Sequence, residues 1–140
     1  MQTRTQTQTQ ITTNADSKVS LWAGRIIGAL AILFLIFDGG IKVMQMPQAV
    51  EPTVKFGFAA SMVLTLGILE LACLVLYIIP KTSVLGAILM TGYLGGAMAT
   101  QVRVGAEPFS IVFPIIIGVM VWGALFLRDS QLRALVPVRR

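Results

Sequence analysis

The chain has 140 residues, 56% of them apolar and only 12% charged, with a formal net charge of +5. An ordinary soluble domain carries roughly 25% charged residues. The excess cations sit at the ends of apolar stretches rather than in a stripe or patch, which points to membrane anchoring and away from nucleic acid. With no histidine and one cysteine, Cys73, the composition excludes His-ligated haem, the usual zinc sites, Ser-His triads and CxxC thiol exchange, and no metal centre is expected.

Residues 1–20 form a Thr/Gln-rich stretch with too few apolar groups to offset the entropy of ordering it, and it is expected to be disordered. It lacks the early basic region and small-residue cleavage site of a signal peptide. The first span is predicted over 21–44, with Trp22 and Arg25 at one interface and Lys42 at the other. Pro47, Pro52 and Gly57 in the following loop, Met46 to Phe58, suggest a short interfacial helix or turn. A second span over 59–79 stops at Pro80-Lys81, because proline cannot continue the hydrogen-bond ladder. The tight turn there makes the second and third helices antiparallel neighbours. The third (83–102) and fourth (109–127) spans contain no charged residue. Pro114 falls in the first turns of the fourth, where its missing N–H does least harm, and Arg128 ends it. Residues 130–140 form a basic tail. The expected fold is therefore all-α, an integral membrane bundle of four transmembrane helices with 21–129 as its single domain and no room for a separate catalytic domain.

Orientation follows from the cations. Arg4, Lys18, Arg25, Lys81, Arg128, Arg133, Arg139 and Arg140 fall on the side of both termini, against Lys42, Lys55 and Arg103 on the other, so both termini are expected in the cytoplasm. Trp22, Tyr77 and Trp122 fall toward that same side as interfacial aromatics.

Helical spacing puts Gly24, Gly28, Ala31, Leu35, Asp38 and Lys42 on one face of the first span. Small residues let helices approach closely, so this face points inward, and Asp38 and Lys42 with it. Gly92, Gly96, Ala99 and Arg103 make a similar face in the third span, overlapped by a row through Ser83, Ala87, Thr91 and Gly95; Gly92, Gly95 and Gly96 are thus expected at tight helix contacts. Glu70 lies near the middle of the second span. At ~1.5 Å rise per residue, Asp38 falls about 3 Å and Lys42 about 9 Å farther out than Glu70, with Tyr93 near its level. One polar cluster drawn from Asp38, Lys42, Glu70, Tyr93, Gln101 and Arg103 is expected, and Asp38, Glu70, Lys42 and Arg103 together would be formally neutral. Glu70 fits two roles there: an ionised partner of Lys42, or a protonated group fixing helix register. Cys73 and the scattered methionines read as packing residues.

The segments FDGGIKV (Phe37 to Val43), LGILELACLVLYIIPKTSVLGAILMTGYLGGAMATQVRVG (Leu66 to Gly105) and VWGALFLRD (Val121 to Asp129) resemble the DoxX-like family of small bacterial four-helix membrane proteins. The positions that recur in that family look like Lys42, Glu70, Pro80 and Gly95-Gly96-Ala97 with Gln101; a histidine common near Gln101 or Val102 is absent here. The family takes its name from subunits associated with a terminal quinol oxidase. The resemblance implies a multi-pass protein of the bacterial cytoplasmic membrane. It further implies an accessory or quinone- or lipid-binding component of a membrane oxidoreductase assembly, without catalytic activity of its own, whose partners are membrane lipids, an oxidoreductase or further copies of the chain. From the residues alone, the alternative is a small proton-coupled transporter using Glu70. No nucleophile-base constellation supports an enzyme.

Overall fold

The computed structural model describes the backbone of residues 2–135 and side chains from Lys18 onward. Among the described residues six helices follow one another: α1 (Gln2–Val43), α2 (Pro47–Lys55), α3 (Met62–Ile78), α4 (Ser83–Arg103), α5 (Pro108–Arg128) and α6 (Ser130–Leu135). The segments Lys18–Val43, Ser83–Arg103 and Pro108–Arg128 are long and apolar enough to cross a membrane; α3, at 17 residues, is apolar but shorter. The four long helices pack in a ring, α1 between α3 and α5, and α4 between the same two on the opposite side. Their outward faces carry Leu30, Leu33, Ile68, Leu85 and Val119, all exposed. Helices apolar all round suit a lipid surrounding.

Helix α1 departs from the expected disorder of residues 1–20 by starting at Gln2. No proline or glycine interrupts the stretch before Gly24. Once the apolar part of the helix exists, each further residue adds a hydrogen bond without a new nucleation cost, and Thr and Gln carry only small propensity penalties. The basic tail likewise begins as α6, where Asp129 Oδ1 accepts the backbone N–H groups of Gln131 and Leu132; Arg139 and Arg140 lie outside the described residues.

The core runs along the ring axis through Leu35, Leu74, Tyr77, Met90 and Val121. Tyr77, expected at the interface, is instead 1% exposed and donates its hydroxyl to the Val121 carbonyl at 2.9 Å. Its spacing from Glu70 and Leu74, two turns and one turn away, puts it on the inward stripe of α3, and a buried phenol needs an acceptor. Trp122 is half-buried, and its indole N–H bonds Thr91 Oγ1 at 2.7 Å on an exposed face, joining α5 to α4. Only Trp22 keeps the interfacial character expected of it, exposed with the Arg25 guanidinium 5.6 Å from its ring.

The Pro80-Lys81 turn closes α3 onto α4. Thr82 Oγ1 donates to the Leu76 carbonyl and Ser83 Oγ to that of Tyr77, both at 2.8 Å, which satisfies carbonyls left open where α3 ends. Here Gly86 lies against the Tyr77 backbone so closely that a Cβ on it would stand 2.2 Å from the Tyr77 nitrogen. The two helices touch backbone to backbone at this point.

Candidate polar site and cavity

Glycines also bring α1 to α3. A Cβ on Gly67 would lie 2.8 Å from Lys42 Cβ and 2.9 Å from the Val43 nitrogen, and one on Gly39 would lie 2.7 Å from Leu71 Cδ2. Glu70 follows Gly67 by one helical turn, so the close approach that Gly67 permits carries the lysine to the glutamate. Lys42 Nζ donates to Asp38 Oδ2 at 2.5 Å, to Glu70 Oε2 at 2.7 Å and to Tyr93 Oη at 2.9 Å, while Tyr93 donates its hydroxyl to Glu70 Oε2 at 3.0 Å. Three helices thus meet at one ammonium group. The Glu70 side chain is fully buried, that of Lys42 is 16% exposed and that of Asp38 31%.

Arg103 is not part of this group. Its guanidinium donates to the Phe56 carbonyl at 2.5 Å, fastening the end of α4 to the end of α2. At the last residue of α4 it lies beyond the level of Tyr93 by nearly three turns, and the open carbonyl at the end of α2 is a better partner within reach. Without it, the cluster of Asp38, Glu70 and Lys42 carries one negative formal charge when both carboxylates are ionised, rather than the neutrality expected. Gln101 lies on the same interior surface without bonding the cluster, and its Oε1 is buried without a partner, as is Glu70 Oε1.

The glycines divide in two. Gly24 and Gly28 face α5, where a Cβ would come within 2.9 Å of Leu127 Cβ and 3.2 Å of Ala124 Cβ respectively. Gly92, Gly95 and Gly96, expected at tight helix contacts, have nothing within 4 Å of where a Cβ would stand. The reason is geometric: α3 and α4 touch at the Pro80 turn, and farther from it Gly92 and Gly96 line a void between the helices, while Gly95 is exposed outside that lining. Gly39, Gly67 and Gly86 carry the close approaches instead. A short turn forces antiparallel helices together beside it, and that signal alone singles out Gly86.

The void is a cavity of about 710 Å³. Leu69 and Ala72 of α3 and Leu89, Gly92 and Gly96 of α4 form one side, α2 covers an end through Ala49, Pro52 and Phe56, and Asp38, Lys42, Glu70 and Tyr93 form its polar wall. Gly57, with φ +93°, turns the chain sharply after α2 and lets it descend into α3. A volume between ~300 and ~1,000 Å³, apolar walls and a few convergent polar groups are the attributes of a small-molecule site. Among the described residues no cluster of His, Cys, Asp and Glu could hold a metal ion.

An all-helical fold with apolar outer faces, three helices of spanning length and a buried ionic cluster beside a cavity defines a membrane protein. The sequence pattern of the DoxX-like family matches residues 26–124, and the chain belongs to that family. No curated protein and no solved structure matches it.

Proposed function

We propose that this chain is a multi-pass protein of the bacterial cytoplasmic membrane, crossing it four times with both termini inside, that binds an apolar lipid- or quinone-like molecule in its half-open cavity. It serves a membrane oxidoreductase assembly as an accessory subunit and carries out no chemistry of its own. The observation that carries this reading is the cavity of about 710 Å³ whose otherwise apolar wall holds the Asp38–Lys42–Glu70–Tyr93 group. A buried ionic group next to an apolar void is costly to maintain in a membrane, and a ligand that uses both gives it a role. Counting α3 as the fourth span requires its 17 residues, about 26 Å of helix, to cross at the short end of what bilayers accept.

The competing transporter reading asks Glu70 to release and regain a proton as substrate moves. The three-way grip of Lys42 on Asp38, Glu70 and Tyr93 favours a fixed wall over a moving one. Native mass spectrometry of gently purified protein tests the proposal: a co-purified lipid or quinone, lost when Gly92→Leu fills the cavity, supports it. Protein that carries no such adduct at any detergent condition, with the fold intact, counts against it.

A further inference from the structure

We infer that the cavity selects apolar molecules whose polar end donates a hydrogen bond, a hydroxyl or an amine, over those whose polar end only accepts one or is anionic; this rests on the ligand-binding function proposed above. The inference comes from an inventory of protons. An ammonium group has three N–H donors and no acceptor. All three of Lys42 are committed, to Asp38 Oδ2, Glu70 Oε2 and Tyr93 Oη. The single hydroxyl proton of Tyr93 is committed to Glu70 Oε2. On the neighbouring wall, Thr53 and Thr100 give theirs to the carbonyls of Ala49 and Gly96 in their own helices.

What remains without a partner is mostly acceptor. Glu70 Oε1 and Gln101 Oε1 are buried and unpartnered, while Asp38, the most exposed of the three charged groups, lines the cavity, is engaged by Lys42 through Oδ2 alone and is the acceptor within a ligand's reach. The amide nitrogens of Gln48 and Gln101 are the donors left on the cavity wall, and each belongs to a group that can equally accept. An incoming hydroxyl or amine donates to the Asp38 carboxylate, where a carbonyl has no proton to give and only adds a further acceptor. Charge argues the same way. With one cation between two carboxylates, a third anionic group would enter a region already negative and poorly screened by its surroundings. The cavity therefore matches a phenol, a hydroquinone or an amphiphilic alcohol better than the corresponding ether, quinone or carboxylate.

Three probes of one shape isolate this property: 4-heptylphenol, 4-heptylanisole and 4-heptylbenzoate, titrated calorimetrically into the full chain in phosphatidylcholine nanodiscs, with empty nanodiscs subtracted. The phenol is expected to bind at least about tenfold more tightly than the anisole, the scale of one hydrogen bond to a charged group, and the benzoate no better than the anisole. Asp38→Asn should shrink the phenol-to-anisole ratio, and Gly92→Leu should weaken phenol binding by about tenfold or more, because Gly92 lines the cavity with free space before it. Equal affinity for phenol and anisole, or preference for benzoate, overturns the donor selectivity and leaves the cavity as a ligand site. Binding of all three unaffected by Gly92→Leu, or no binding of any, overturns the selectivity and the ligand-binding function together.

Discussion

Lys42 and Glu70, 28 residues apart in the chain, meet at 2.7 Å because Gly67 lets the backbone of α1 rest on α3 one turn from the glutamate. The two residues do not contribute alike. Lys42 is the sole cation of the cluster, whereas Glu70 shares it with Asp38 and Tyr93. Removing the lysine leaves two carboxylates close together with no counter-charge; removing the Glu70 charge leaves Lys42 with two remaining partners. Lys42→Met should therefore destabilise the protein by about 3–5 kcal/mol, and Glu70→Gln by roughly 1–3 kcal/mol. Combining them should recover part of the lysine loss, since the double variant strands one carboxylate fewer. Unfolding in mixed micelles checks the cycle, and strictly additive losses would show that the pair is not coupled.

Gly86 and Gly92 give opposite predictions although they share a helix. Gly86→Ala would force a Cβ to within 2.2 Å of the Tyr77 nitrogen, so the α3–α4 contact must part and the variant should lose most of its stability or fail to accumulate. Gly92→Ala, Gly95→Ala and Gly96→Ala add a methyl group to empty space and remove helix-weakening glycines. Each should be neutral or stabilising by up to ~1 kcal/mol. Thermal melts in detergent separate the cases; a Gly92→Ala melting temperature far below that of the parent would place a helix against that face.

Much of the site was legible in the sequence because helical periodicity is local. The i, i+4 spacing of Asp38 and Lys42 put them on one face, and the central position of Glu70 in an apolar stretch required an inward direction and a partner. Depth arithmetic placed Tyr93 near Glu70, where the structure has it. Periodicity says nothing of how far apart two helices stand along their length. Hence Gly92, Gly95 and Gly96, which have the pattern of a contact, have nothing packed against them, while Gly39, Gly67 and Gly86 make contacts alongside Gly24 and Gly28. Arg103 shows the same limit, since its choice between the cluster and the Phe56 carbonyl depends on where α2 folds back, a tertiary fact.

Tyr77→Phe tests the core without touching the cavity cluster. It removes the hydroxyl that donates to the Val121 carbonyl while keeping the ring buried between α3 and α5. The Val121 carbonyl can still accept from its own helix, so the cost should be limited to one ordinary hydrogen bond, about 0.5–1.5 kcal/mol. A loss several times larger would mean that the hydroxyl also orders the Pro80 turn.

The topology prediction follows from both charge and helix length. Lys18 and Arg25, where the apolar part of α1 begins, lie on the same side of the ring as Lys81, Arg128 and Arg133, and Lys42, Lys55 and Arg103 lie on the other. Positive residues are retained in the cytoplasm during insertion, so the first group should be inside. That assignment requires α3 to cross despite its 17 residues, with Gly57 to Ser61 and Ile79-Pro80 extending the apolar path at its ends. Alkaline phosphatase fused after Met46 and after Glu107 should be active, which requires export, and inactive when fused after Lys81. An active fusion after Lys81 together with an active one after Met46 would mean that α3 does not cross, and the Glu70 cluster would then lie at the outer interface rather than within the membrane.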